Sequence, residues 1–126
     1  MALDPVTIIL IADDEPNIVR SLGFILQKEG LPFDVATDGE TALAKARLLR
    51  PKLLFLDIMM PKLSGFEVCS QIRSDAALDT IHIIMLTAKG QDEDRTKSLS
   101  AGADEYLSKP FSPMQVLERV KTILGT

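Results

Sequence analysis

The chain has 126 residues, 46% of them hydrophobic, and its 14 basic and 18 acidic residues leave a net charge of −4. That suits a single domain over residues 1–126 with a real core, and an acidic chain without a basic stripe argues against direct nucleic-acid binding. No apolar run is long enough to span a membrane, the start has no signal-peptide pattern, and the lone Cys69 rules out an internal disulfide or a multi-cysteine zinc site; a cytoplasmic location is the default expectation.

Thr7-Ile8-Ile9-Leu10-Ile11-Ala12 is an unbroken apolar run, the pattern of a strand buried on both faces. It ends in Asp13, Asp14 and Glu15. Pro16 suits the first turn of a helix, along which Ile18, Leu22, Ile25 and Leu26 recur at helical spacing until Gly30. Phe33-Asp34-Val35-Ala36 reads as a weaker strand. Thr37 or Asp38 can cap a second helix with Ala42, Leu43, Ala46 and Leu49 on its apolar side, closed by Pro51.

Lys52-Leu53-Leu54-Phe55-Leu56-Asp57 is a third strand, and it too runs into a carboxylate. Met59, Met60, Pro61 and Gly65 follow, and Ser64 is the natural cap of a helix with Phe66, Cys69 and Ile72 facing inward. Cys69 there reads as an inert core thiol. With Ser64 filling the cap, Asp57 is left at the strand's carboxyl edge, where ligands bind in open α/β sheets. Ile81-His82-Ile83-Ile84-Met85-Leu86 is a fourth strand, ending at Thr87 and Ala88; its histidine, alone in an apolar run, reads as structural. A polar helix over 92–101 begins with Asp92-Glu93-Asp94, which suits a helix start, and has Leu99 as its one strong apolar anchor. Glu105-Tyr106-Leu107-Ser108 is a fifth strand, ending at Lys109 and Pro110. Ser112 caps a last helix with Val116, Leu117, Val120 and Ile123 inside.

Five alternations of strand and helix with short connections predict an α/β fold: a doubly wound parallel sheet, helices on both faces. Parallel strands place all their carboxyl ends on one edge, so Asp13, Asp14, Asp57, Thr87 and Lys109 should share one site. Three carboxylates together repel one another. An all-oxygen ligand set without histidine suits a hard cation, and Mg²⁺ fits. A divalent ion, a lysine and a hydroxyl around one aspartate make a phosphoryl-transfer site, with Asp57 as nucleophile.

These residues, with Met60-Pro61, Gly65, Gly102-Ala103-Asp104, Tyr106 and Lys109-Pro110-Phe111, make the chain resemble the receiver domain of bacterial two-component response regulators, chemotaxis-regulator-like, over essentially its whole length. The resemblance implies a flavodoxin-like (βα)5 sheet in the order 2-1-3-4-5. It implies a phosphorylatable regulatory domain rather than an enzyme, with slow autodephosphorylation at most. Asp57 would take the phosphoryl group from a phosphohistidine on a sensor histidine kinase or a histidine phosphotransfer protein. Asp14 would bind Mg²⁺ directly, Asp13 largely through water, and the Met59 backbone carbonyl would be a further ligand. Thr87 and Tyr106 would form the switch, and Lys109-Pro110 is the candidate cis peptide. The fourth helix, fifth strand and last helix would meet a second copy in a phospho-dependent homodimer, or a separate output protein.

Two other folds of similar outline fit less well. A phosphatase of the haloacid dehalogenase type needs a second aspartate two positions after the nucleophile, and that position is Met59, which cannot move a proton. A flavin module needs a Ser/Thr/Gly-rich phosphate loop after the first strand, and Asp13-Asp14-Glu15-Pro16 would repel a phosphate. An interaction module that is never phosphorylated remains open; the intact Asp57, Thr87 and Lys109 set argues for the phospho-switch.

Overall fold

The computed structural model describes residues 8–88 and 92–125; Thr7 of the predicted first strand, and the side chain of Asp92, lie outside the described set. Strands β1 (Ile9–Ala12), β2 (Phe33–Ala36), β3 (Leu53–Asp57), β4 (His82–Ala88) and β5 (Glu105–Lys109) alternate with helices α1 (Pro16–Lys28), α2 (Gly39–Leu49), α3 (Gly65–Arg73), α4 (Asp92–Ala101) and α5 (Pro113–Leu124). The sheet is five-stranded in the order β2-β1-β3-β4-β5, and every pairing is parallel. A short 3-10 turn, Ala76–Leu78, lies between α3 and β4. The apolar pattern did not announce it, although it buries Leu78.

Side chains alternate across a strand, so one apolar run supplies two cores. Leu54, Leu56, Ile83 and Met85 point to the face covered by Ala42, Leu43, Val68, Cys69 and Ile72. Leu53, Phe55, Ile84 and Leu86 point to the opposite face, covered by Leu22, Leu26, Val116 and Val120. Thus α1 and α5 cover one face while α2 and α3 cover the other. Each fully buried side chain of this size is worth roughly 1.5–3 kcal/mol, and β1 and β3 are buried along their whole length.

The caps follow the chemistry of the sequence. Asp38, rather than Thr37, caps α2, accepting from the Thr41 N–H at 2.7 Å. Ser64 and Glu67 form a reciprocal capping box at the start of α3, at 3.2 and 3.1 Å. Ser112 caps α5 with Pro113 in its first turn. Helix α4 differs from expectation. Leu99 is 47% exposed and anchors nothing in the core, while Ser98 is fully buried. Ser98 satisfies its hydroxyl by donating to the Asp94 carbonyl at 2.6 Å, the back-bonding that lets a serine sit inside a helix.

Candidate functional site

The register brings the charged residues together. Ala12 pairs with Leu56, so Asp13 and Asp57 leave the sheet side by side. Asp57 pairs with Leu86, which puts Thr87 one step beyond it, and Ala88 pairs with Lys109. The loop after Asp57 is held firmly. The Gly65 N–H donates to the Ile58 carbonyl at 2.8 Å and the Gly39 N–H to the Pro61 carbonyl at 3.0 Å. Gly65 cannot be replaced there, because a Cβ would collide with the Asp57 carbonyl oxygen and sit 2.9 Å from the Ile58 Cα. The first turn of α3 is therefore pressed against the backbone that carries Asp57. The Lys109–Pro110 peptide bond is cis.

Asp13, Asp14 and Asp57 each offer a carboxylate oxygen within 4.8 Å of the other two. Asp13 is fully buried and Asp57 is 4% exposed, while Asp14 is exposed. Among the described residues one cation faces them. Lys109 Nζ lies 3.0 Å from Asp13 Oδ2, 3.3 Å from Asp57 Oδ1 and 2.8 Å from Glu15 Oε1. The contact with Asp13 Oδ2 is close enough for charge pairing but lacks hydrogen-bond geometry, so that buried oxygen has no hydrogen-bond partner among the described residues. Leaving a buried charged oxygen unsatisfied costs about 1–3 kcal/mol or more. Three clustered carboxylates with one orphaned oxygen are a donor set that a hard divalent cation completes.

The electrostatics agree. The Asp57 carboxyl is pushed up to about 7, by burial first and then by the neighbouring negative charge of Asp13, against the pull of Lys109. Asp13 is likewise raised, mainly by burial. Burial by itself would lower Lys109, yet the carboxylates around it hold it above the usual lysine range. In this form Asp57 tends to keep a proton, and a protonated carboxyl is a poor nucleophile. Positive charge entering the cleft would release that proton.

Thr87 is buried, and its hydroxyl donates to the Leu107 carbonyl at 3.5 Å. Tyr106 is half-buried, with the Arg95 guanidinium 5.2 Å from its ring centroid. A cavity of about 320 Å³ lies beside it, bordered by Arg95, Leu99 and Glu105. Met59 is 78% exposed; its N–H donates to Asp57 Oδ1 at 3.4 Å, while Met60 packs on the core. Cys69 is buried, with its thiol pushed up to about 11 by burial. His82 belongs to a separate cluster, its Nε2 2.6 Å from Glu105. A groove of about 660 Å³ bordered by Arg50, Lys52, His82 and Arg119 is larger than the cavity beside Tyr106 and holds none of these carboxylates, so cavity size does not locate the chemistry.

One participant escaped the sequence reading. In the sequence Glu15 is one more carboxylate after the first strand; in the structure its side chain makes no cap bond and reaches Lys109. Nothing in local spacing joins residues 94 positions apart.

Residues 9–121 match the family model of the response regulator receiver domain. The chain is 47% identical over 116 residues to the alkaline phosphatase synthesis transcriptional regulatory protein PhoP of Bacillus subtilis, covering 92% of this chain and 48% of that protein. It is 40% identical over 116 residues to the DNA-binding response regulator MtrA of Mycolicibacterium smegmatis, covering 92% and 50%. The chain thus spans about half the length of these curated relatives. Among solved structures, the chemotaxis response regulator CheY4 of Vibrio cholerae superposes with a TM-score of 0.85 at 30% identity, covering 94% of this chain and 99% of that one. The receiver domain of a Pseudomonas aeruginosa sensor histidine kinase, solved with a magnesium ion in its active-site cleft, gives 0.85 at 28% identity, covering 94% and 97%. A five-stranded parallel sheet with an acidic carboxyl edge, matched along nearly all of its length, places this chain in the response-regulator receiver family.

Proposed function

We propose that this chain is one receiver unit, over residues 1–126, that accepts a phosphoryl group on Asp57 and passes the signal to the face made by α4, β5 and α5. The observation that carries the reading is the Asp57 carboxylate, almost wholly buried beside Asp13 and 3.3 Å from the Lys109 ammonium. An Asp57 oxygen attacks phosphorus in a phosphohistidine. The new P–O bond forms as the P–N bond breaks, and the imidazole leaves after gaining a proton from the donor side. Lys109 draws charge from the phosphoryl oxygens as they crowd into the cleft. Asp13, Asp14, Asp57 and the Met59 carbonyl would hold Mg²⁺, which when bound would supply the further positive charge that such transfers require. The donor is a sensor histidine kinase or a histidine phosphotransfer protein. Met59 offers no group to activate water, so the acyl phosphate is lost slowly and the domain acts as a switch rather than a turnover enzyme.

Output follows from the other side of β4. Thr87 hydrogen-bonds away from Asp57, toward Leu107. A phosphoryl oxygen offers its hydroxyl a charged and stronger acceptor. Turning Thr87 toward the site vacates space beside β5, which Tyr106 fills by leaving Arg95. Helix α4, which buries Ser98 rather than Leu99, resists such a shift weakly. The resulting surface would pair with a second copy or with a separate output protein. Among the described residues no helix is long and apolar enough to cross a membrane.

The test is incubation with acetyl phosphate with and without Mg²⁺, followed by borohydride trapping and peptide mapping. Label on Asp57 that needs Mg²⁺ supports the reading. Label elsewhere, or none, refutes it.

A further inference from the structure

Glu15 stands at the N-cap of α1, with φ −87 and ψ 114. A carboxylate there ordinarily accepts a hydrogen bond from the first helical turn. Glu15 makes no such bond: Pro16 has no N–H, and the Ile18 N–H already donates to the Glu15 carbonyl at 3.1 Å. Its Oε1 lies 2.8 Å from Lys109 Nζ, the shortest of the three carboxylate contacts to that ammonium. An ammonium has three N–H donors. In the site as it stands, two of them are donated, to Glu15 at 2.8 Å and to Asp57 at 3.3 Å, while Asp13 Oδ2 lies 3.0 Å away without hydrogen-bond geometry. When Asp57 is phosphorylated, the anionic phosphoryl oxygens compete with these carboxylates for the ammonium.

The three differ in what release would cost. Asp13 is fully buried, and its Oδ2 has no hydrogen-bond partner to fall back on. Asp57 carries the phosphoryl group itself. The Glu15 side chain is 57% exposed, so water can take over its solvation and the lost ion pair is a weak one. We propose that Glu15 is a positioning residue that holds the Lys109 ammonium in the unphosphorylated site and competes for it with the incoming phosphoryl oxygen. It sets a threshold: a site that needs strong phosphoryl contacts before Lys109 changes partners. The inference rests on Asp57 being the phosphoacceptor.

The test uses beryllium fluoride with Mg²⁺ as the phosphoryl probe, followed by fluorine and amide NMR, on the parent and on Glu15→Gln and Glu15→Asp. The Gln variant removes the charge and the ion pair. The Asp variant keeps the charge but is one methylene too short for the same contact. Both variants are expected to bind the probe more tightly, by up to about fivefold, the range of a partly exposed ion pair. Nitrogen NMR of the Lys109 ammonium, without probe, should shift in both. Tightening in Gln alone would mean that the field of a nearby charge acts and not the contact, and the proposal would be overturned. Unchanged or weaker binding in both would overturn it as well. A parent that binds no beryllium fluoride at all, or binds it away from Asp57, would instead remove the phosphoacceptor reading, and this inference with it.

Discussion

At the amino edge of the sheet, Glu105 accepts two hydrogen bonds from Arg119, at 2.6 and 2.7 Å, and lies 2.6 Å from His82. Asp104 accepts from Arg73 at 2.7 Å and from the Ile83 N–H at 2.8 Å. Arg119 first, and His82 after it, holds Glu105 below the usual carboxylate range. At the carboxyl edge of the same sheet, Asp13 and Asp57 are pushed the other way, by burial ahead of any other cause. One ammonium there serves three carboxylates, and a buried oxygen goes without a hydrogen bond. The same fold that matches charges at one end leaves them mismatched at the other. Perturbed and unsatisfied groups gather where chemistry is done, and the contrast supports the proposed site without reference to any relative.

The contrast has a sign that can be measured, and the metal should expose it most strongly. Mg²⁺ at a hundredfold excess over its dissociation constant is expected to stabilise the domain by about 2.7 kcal/mol. Asp14→Ala should remove most of that gain in thermal unfolding. An Asp14→Ala domain stabilised as much as the parent would place the ion elsewhere.

Removing a carboxylate should then have opposite effects at the two edges. Glu105→Ala deprives Arg119 and His82 of their partner and should cost about 1–2 kcal/mol in urea unfolding, an allowance reduced for solvent exposure. Asp57→Asn relieves repulsion and should stabilise the metal-free domain by about 1 kcal/mol near neutral pH. The pH dependence carries the same message. Asp57 holds its proton up to about 7 in the fold, against 3.8 ordinarily. Stability from that proton is complete below the lower value and is lost as pH rises through the upper one. In chelator, the parent should therefore weaken between about pH 4 and 7, and Asp57→Asn should show a flatter profile. Loss of stability on both substitutions would erase the contrast.

The smallest effect is expected at α4. Leu99→Ala should change stability by no more than about 0.5 kcal/mol, because the side chain is 47% exposed. A cost of several kcal/mol would mean that α4 is anchored more firmly than its packing indicates.

The parallel sheet and its acidic edge were legible in the amino-acid sequence because both depend on local pattern. Apolar runs ending in carboxylates, and caps such as Ser64, need only neighbouring residues. The contacts that were missed depend on register or on orientation. Glu15 meets Lys109, and His82 meets Glu105, only once strands far apart in the chain are aligned. Helix α4 has too few apolar residues for their spacing to show its inner face, so Leu99 was assigned inward and Ser98 was overlooked. The 3-10 turn Ala76–Leu78 is shorter than any period that spacing can reveal.

The central claim is that the charge mismatch around Asp57 is real and is what a cation resolves. The most direct measurement is a carbon NMR titration of the Asp57 side-chain carboxyl, first in chelator and then with saturating Mg²⁺. The account predicts a midpoint near 7 without metal, falling well into the acid range when Mg²⁺ is present. A carboxyl that titrates in the ordinary aspartate range, near 3.9, and ignores Mg²⁺ would contradict it.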